Sequence, residues 1–322
     1  MRRYSFSLCG EKHTRALVWF LAAFLSAIPV HAFIAEPQTQ IQTQSMVKRI
    51  AQYQTMIDDA PRLKLTEAQV GGLWAKMASN YQDLAQFAEA ETAYTHALAL
   101  FEHDSYAQES YAVTLGDLGS LYGMTGRLDA QENCRKRSLA IFEKLGDPLQ
   151  IARAQAWLAD GYLAMGRNKL AERYSSQAIH AMATLPQATE ENRSSVMVTY
   201  AYAACLNGHC DDALRIANQA MAIVSQNFDA NSFASGQTHI ALGFVEQRTG
   251  DRIDAGLDLR EGVRILRLDL PATHPVLTNA LTIYRDFLVE SHRDAEASRI
   301  RDEMQRHGCS SCTVSVFGLR KP

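Results

Sequence analysis

Long apolar runs and blocks of basic residues are both missing from most of this 322-residue chain. No apolar stretch after residue 32 reaches the ~18 residues of a transmembrane helix, so no integral membrane span is predicted there. Lys and Arg total 32 against 35 Asp and Glu, which gives a net charge of −3. Because nucleic-acid binding needs a basic patch, we expect no nucleic-acid partner.

Proline is scarce, with 8 residues, and glycine numbers only 18. Hydrophobic residues make up 47% of the chain and charged residues 21%, a composition that excludes a collagen-like or wholly disordered protein. All 8 prolines fall outside the helices predicted below. A proline inside a helix costs about 3 kcal/mol, so this placement supports the helical assignment.

Catalytic and cofactor-binding motifs are also missing. The sequence has no nucleophile elbow, phosphate-binding loop, zinc-protease motif, calcium loop or dinucleotide fingerprint. Gly116, Gly119 and Gly123 lie on a predicted helix with no strand before it, so they indicate close helix packing. We therefore predict no enzymatic activity, no cofactor and no metal.

The N-terminal 32 residues have the pattern of an export signal. Four basic residues stand against one acid in residues 1–15, an apolar stretch covers 16–28, and the small side chain of Ala32 ends the segment. The apolar stretch is short of the ~30 Å hydrocarbon core, which favours cleavage over retention. We predict a signal peptide over 1–32 and a periplasmic or extracellular protein. An uncleaved N-terminal membrane anchor is the alternative.

One pattern recurs six times between residues 66 and 306. Glycines spaced 40–42 residues apart each end a helix-like stretch: Gly126, Gly166, Gly208 and Gly250. Ala85 and His292 continue this frame at either end. A small residue usually lies seven positions before each frame position, at Ala78, Gly119, Ala159, Ala201 and Gly243. The second predicted helix of each copy carries, in order, Ala90, Gln131, Ala171, Ala213, Ala255 and Ala297 at one shared position. The frame predicts six helix–turn–helix units.

These residues resemble the tetratricopeptide repeat, whose signature combines aromatic, small and Ala positions. The first copy shows it best, with Trp74, Ala78, Tyr81, Ala90 and Tyr94. The long period resembles the variety found in kinesin light chains and many bacterial proteins. The resemblance implies an all-α, right-handed superhelical solenoid over 66–306, in which each repeat contacts its neighbours.

Some copies depart from that signature. Arg135 and Arg301 stand where the second helix usually has an aromatic residue, Glu246 replaces an aromatic residue of a first helix, and Arg285 replaces a small residue.

The segments that flank the repeats should differ from them. We expect a flexible leader over 33–44, a capping helix over 45–58 followed by Pro61, and a tail over 307–322 whose residues 313–319 are β-prone. That tail is expected either to lie strand-like over the last repeat or to be disordered.

The resemblance implies that the first helices line a concave groove for an extended peptide or a helix. The protein is then a protein–protein interaction scaffold or adaptor. The Lys/Asn set that grips a terminal carboxylate in some members is absent, so no such ligand end is expected. The partner-binding residues carried over by position are Arg153, Asp160, Val198, Tyr202, Ile240, Phe244, Gln247 and Arg248. Tyr202 and Phe244 would centre an apolar patch of the kind that carries binding energy; alternatively, they fill the core between helices.

Cysteine allows more than one interpretation. Cys205 and Cys210 flank the turn at Gly208, and Cys309 lies close to Cys312. Close pairs in an exported protein favour disulfides, and Cys134 is expected to be a small buried hydrophobic residue. Two alternative functions are a metal- or thiol-dependent role centred on Cys309 and Cys312, and self-assembly into a structural protein.

Overall fold

A computed structural model describes the backbone over residues 32–306 and the side chains over residues 43–306. Most of the predicted signal peptide, the tail over 307–322 and its Cys309 and Cys312 lie outside the described residues. Within residues 32–306 none of the helices is both long and apolar enough to cross a bilayer.

Fourteen helices account for nearly all of the chain between residues 32 and 306. They are α1 Ala32–Asp58, α2 Ala60–Leu63, α3 Glu67–Asp83, α4 Phe87–Phe101, α5 Gln108–Met124, α6 Leu128–Leu145, α7 Pro148–Ala164, α8 Asn168–Thr184, α9 Glu190–Leu206, α10 Cys210–Asn227, α11 Phe233–Thr249, α12 Arg252–Asp269, α13 Pro275–Glu290 and α14 Asp294–Arg306. From α3 onward they form six antiparallel pairs whose first helices begin 40 to 43 residues apart. The predicted all-α solenoid of six helical hairpins is confirmed.

The turn inside each hairpin occupies the predicted frame position. Gly126, Gly166, Gly208 and Gly250 have φ values of +74°, +70°, +91° and +98°. Glycine adopts this left-handed conformation at little cost because it has no Cβ atom. Ala85 has a φ of +57° and makes the same turn in the first hairpin, as does His292 in the last.

Alanines at the shared positions bring the two helices of a hairpin together. Ala159 and Ala171 in the third hairpin, and Ala201 and Ala213 in the fourth, have no exposed surface. A side chain of one carbon lets the helix backbones approach closely, so that larger neighbours can interdigitate around the contact.

The N-terminal segment differs from the prediction. The expected flexible leader over 33–44 is helical, because α1 begins at Ala32 and continues through Pro37 into the predicted capping helix. Gln and Ala are good helix formers and favour a helix on both sides of Pro37, although this proline removes one hydrogen bond. Further along α1, Ile50, Tyr53 and Ile57 pack against the first hairpin.

The prediction for prolines was therefore wrong at four positions, although only Pro37 is in a helix interior. Pro61, Pro148 and Pro275 occupy the first turns of α2, α7 and α13. At these positions the missing N–H has no partner within the helix to lose.

The turn at Ala85 yields a stability prediction. Ala85→Gly should stabilise the protein by about 1 kcal/mol, because a left-handed conformation costs an L-residue about 1–2 kcal/mol. The matched control is Ala99→Gly, at an exposed position inside α4, which should destabilise it by about 1 kcal/mol. Urea unfolding followed by circular dichroism measures both changes. An equal loss in the two variants would contradict the turn assignment.

Candidate ligand-binding groove

The first helices of hairpins two to six line two adjoining cavities on one face of the solenoid. The cavities have volumes of about 280 Å³ and about 360 Å³. They share side chains from α7, α9 and α11, namely Asp160, Ser195, Val198, Thr199, Phe233 and Gln237. We call this continuous depression the groove.

Five of the eight predicted partner-binding residues lie in its walls. These residues are Arg153, Asp160, Val198, Tyr202 and Ile240. The other three, Phe244, Gln247 and Arg248, lie further along α11 and are not part of either cavity wall. The Gln247 amide donates a hydrogen bond to Glu290 of α13.

Of the two alternatives for Tyr202 and Phe244, the structure shows packing in the core between helices and not an apolar binding patch. These side chains are 4% and 1% exposed, and their ring centroids lie 4.9 Å apart between α9 and α11. The guanidinium carbon of Arg248 lies 3.6 Å from the Phe244 ring centroid and covers that ring. Both aromatic residues therefore fill the core between helices. Tyr202 also contributes to the wall of the groove.

A buried arginine crosses into the groove from α6. Arg135 is 4% exposed, and its guanidinium donates hydrogen bonds to the Trp157 carbonyl oxygen and, over 3.1 Å, to Ser120 Oγ. Asp160 on α7 balances its charge and accepts a 2.5 Å hydrogen bond from Thr199 Oγ1 on α9. Burial raises the pKa of Asp160, although Arg135 and Thr199 oppose this shift. The second, third and fourth hairpins therefore meet in one polar network.

Asp117 on α5 is a charged group of the groove wall without a hydrogen-bond partner among the described residues. Within residues 43–306, nothing donates a hydrogen bond to its carboxylate. Burial raises the pKa of Asp117 to about 6, although the positive charges of Arg153 and Arg135 lower it. Burial therefore disfavours the ionised form of Asp117, and pKa shifts of this kind occur at functional sites as well as in structural ion-pair networks.

The three glycines of α5 make room for groove side chains. A Cβ atom on Gly116 would lie 2.5 Å from the Trp157 ring, and one on Gly119 would lie 2.9 Å from Arg135 Cγ. A Cβ atom on Gly123 would collide with the Gln131 amide. Close packing was predicted here, but the structure shows that the packed groups are large side chains of the groove wall.

Two amide side chains of the wall are incompletely paired. Gln131 is 3% exposed, and its Oε1 has no hydrogen-bond partner within the described part of the chain. Asn279 Oδ1 on α13 also lacks a partner there. Because buried polar groups are almost always hydrogen-bonded, these atoms indicate a role for water or a ligand.

A second titratable cluster joins α11 to α12 outside the groove. Burial, followed by the negative charge of Asp258, raises the pKa of Glu246 to about 8. Asp258 Oδ1 also lies 2.6 Å from His239 Nδ1. Among residues 43–306, no group of three or more His, Cys, Asp or Glu side chains has the geometry to hold a metal.

Three cysteines lie in the described part of the chain. Cys205 and Cys210 form a disulfide across the turn at Gly208 between α9 and α10. Cys134 on α6 is a buried free thiol, and burial raises its pKa.

Sequence reasoning missed Asp117, Gln131 and Arg135 as groove residues. Arg135 was recognised only as a departure from the aromatic position, and Gln131 stands where five other copies have Ala. The glycine series at 116, 119 and 123 was the accompanying signal, because it provides space for large side chains.

The fit of Trp157 to Gly116 predicts the effect of adding one methyl group. Gly116→Ala should destabilise the protein by about 1–3 kcal/mol through overpacking. Gly72→Ala on α3 is the matched control, since a Cβ atom there would meet nothing within 4 Å. It should stabilise the helix by about 1 kcal/mol. Denaturant unfolding would contradict this packing if both substitutions stabilised the protein.

The burial of Asp117 predicts a pH-dependent stability effect. The pKa of Asp117 is raised to about 6 from about 3.9 in an unfolded chain. The stabilisation of the folded state by protonated Asp117 is therefore complete below pH 4 and is lost as the pH rises to 6. Asp117→Asn should therefore be more stable than the parent at pH 8, with a difference that shrinks towards pH 4. Each kcal/mol gained raises Tm by about 2–4 °C.

Thermal unfolding at pH 4.5 and pH 8 measures this effect. Asp129→Asn, at an exposed position in the first turn of α6, is the control and should lower Tm slightly and by a similar amount at both values. A lower Tm for Asp117→Asn at pH 8 would mean that attraction to the arginines outweighs burial.

Comparison with known proteins places the fold. No protein-family model matches this chain, and no curated protein matches it either. Solved structures, however, match its fold. The apo form of RapI has a TM-score of 0.63 at 13% identity, covering 81% of this chain and 91% of RapI. A Rap protein complexed with competence and sporulation factor has a TM-score of 0.53 at 12% identity, covering 82% of this chain and 76% of that protein.

A third similar structure is a tetratricopeptide repeat protein from Parabacteroides merdae. Its TM-score is 0.52 at 13% identity, and the match covers 85% of this chain and 98% of that protein. At such low identity a structural likeness shows the fold alone. By its six helical hairpins and these likenesses, the chain has the fold of the tetratricopeptide-repeat solenoids.

Proposed function

We propose that this protein is a non-catalytic interaction scaffold that binds a protein or peptide ligand in the groove. One observation carries the proposal: the groove wall combines buried polar groups that lack partners with a carboxylate that folding disfavours. Gln131 and Asn279 have unpaired oxygens, and Asp117 receives no hydrogen bond from the described residues. Each unmet buried polar atom costs about 1–3 kcal/mol. Three of the six such atoms among the described residues belong to groove-wall side chains, those of Gln131, Arg135 and Asn279.

The shape of the groove supports an elongated ligand. Its walls extend from Ser120 on α5 to Asn279 on α13 and therefore include five of the six hairpins. Solenoids present extended concave surfaces of this kind rather than enclosed pockets. The Rap protein complexed with competence and sporulation factor supports ligand binding by this fold.

The proposed function includes export of the protein from the cytoplasm. The N-terminal pattern of residues 1–32 is typical of a signal peptide, and the Cys205–Cys210 disulfide suits an oxidising compartment. We propose a periplasmic or extracellular location; retention by an uncleaved N-terminal anchor would give the same compartment.

A blocked groove tests the function. Ser195 is exposed and lines both cavities, so Ser195→Trp should fill the groove without disturbing the core. Ser225→Trp on α10 is the matched control, because Ser225 is also exposed and lies in neither cavity wall. Each immobilised protein is incubated with envelope and medium fractions of the producing cell, and captured proteins are identified by mass spectrometry.

We expect a ligand that the parent and Ser225→Trp both capture and that Ser195→Trp loses. With the purified ligand, Ser195→Trp should weaken binding at least tenfold, about 1.4 kcal/mol. Equal capture by all three proteins would contradict a groove-bound ligand.

A further inference from the structure

The groove has an excess of negative charge at one end. The charged side chains in the wall of the larger cavity are Asp117, Arg153, Asp160 and Glu191, three acids against one base. Arg135 approaches from α6 and brings the sum to −1. A ligand that fits this end must therefore supply positive charge or hydrogen-bond donors.

Both arginines are held by groups other than Asp117. Arg153 lies over the Trp157 ring, with its guanidinium carbon 5.3 Å from the centroid, and donates to Gln150 Oε1 over 3.1 Å. Arg135 donates to the Trp157 carbonyl oxygen and to Ser120. Their charges lower the energy of the Asp117 carboxylate at a distance, but neither supplies it with a hydrogen bond within the described residues.

Other polar groups of the groove wall also lack partners. Gln131 Oε1 and Asn279 Oδ1 have no donor, and Arg135 Nε has no acceptor, among the described residues. Because these three atoms have almost no exposed surface, a ligand in the groove does not reach them directly. Within residues 43–306, the Asp117 carboxylate is the unpaired acidic group of the interior wall that a ligand meets.

From this arrangement we infer that the groove selects a peptide segment with a Lys or Arg side chain, and that this side chain pairs with Asp117. The inference rests on the proposed ligand-binding function and adds its specificity. A charge-assisted hydrogen bond in a partly buried site is stronger than a neutral one. Asp117 would then be the specificity-determining residue, with Asp160 held by Thr199 as a fixed neighbour.

A random dodecapeptide library displayed on phage tests the inference. The purified parent protein, Asp117→Asn, Asp129→Asn and Ser195→Trp are each used for selection at pH 7.5. Asp129→Asn removes the same charge outside the groove, and Ser195→Trp reports binding that does not need the groove. Circular dichroism and Tm establish that all four proteins are folded.

We expect the parent and Asp129→Asn to enrich peptides with Lys or Arg at one shared position, and Asp117→Asn to lose that preference. In a synthetic peptide from the enriched set, replacing this Arg by citrulline keeps the shape and removes the charge. The replacement should weaken binding to the parent at least tenfold and to Asp117→Asn less than twofold, as measured by fluorescence anisotropy.

Two other results would overturn the inference in distinguishable ways. Enriched peptides without a shared basic position, or with one that Asp117→Asn retains, would refute the cation site and leave the proposed function standing. Enrichment that Ser195→Trp reproduces, or no enrichment with the parent, would refute peptide binding in the groove and the specificity with it.

Discussion

Close contact between the two helices of each hairpin is the constraint on which the solenoid depends. Buried alanines such as Ala171 and Ala213 permit this contact because a single Cβ atom adds almost no width. The same contact sets the angle at which one hairpin follows another, and so it aligns the first helices on one face. The groove is therefore a consequence of small residues that lie away from it.

The second hairpin breaks this rule and carries most of the groove chemistry. Gln131 occupies the position at which the other five copies have alanine, and Arg135 occupies that of the aromatic residue. Glycines compensate on the facing helix, since Gly119 meets Arg135 and Gly123 meets Gln131. The large side chains of α6 thus fill the space that the glycines of α5 leave free, and the polar groups are accommodated without loss of packing density. Natural sequences depart from local rules mainly where function requires it.

The repeat frame, the turn positions and the helical pairs could all be predicted from the sequence, because each depends on local spacing. The left-handed turns at Ala85 and His292 follow from the frame although neither residue is glycine. The sequence left two alternatives for Tyr202 and Phe244, because the choice between a groove patch and the core depends on how closely α9 and α11 pack. The contacts of Arg135 could not be predicted either, because its guanidinium donates a hydrogen bond to a carbonyl oxygen 22 residues away in the next hairpin. The N-terminal extension of α1 was not predicted, because the polar, Gln-rich composition of residues 33–44 favours a flexible leader as readily as a helix.

The polar network also has a mechanical consequence. The Arg135 bond to the Trp157 carbonyl joins the second hairpin to the third, and the Thr199–Asp160 bond joins the third to the fourth. In a solenoid the stability of each repeat depends largely on its interfaces with its neighbours. Bonds that cross two successive interfaces beside the groove therefore fix its local curvature, and a ligand that paired with the same groups would stabilise the curvature to which it binds. Recognition and the shape of the solenoid are in this way set by the same few side chains.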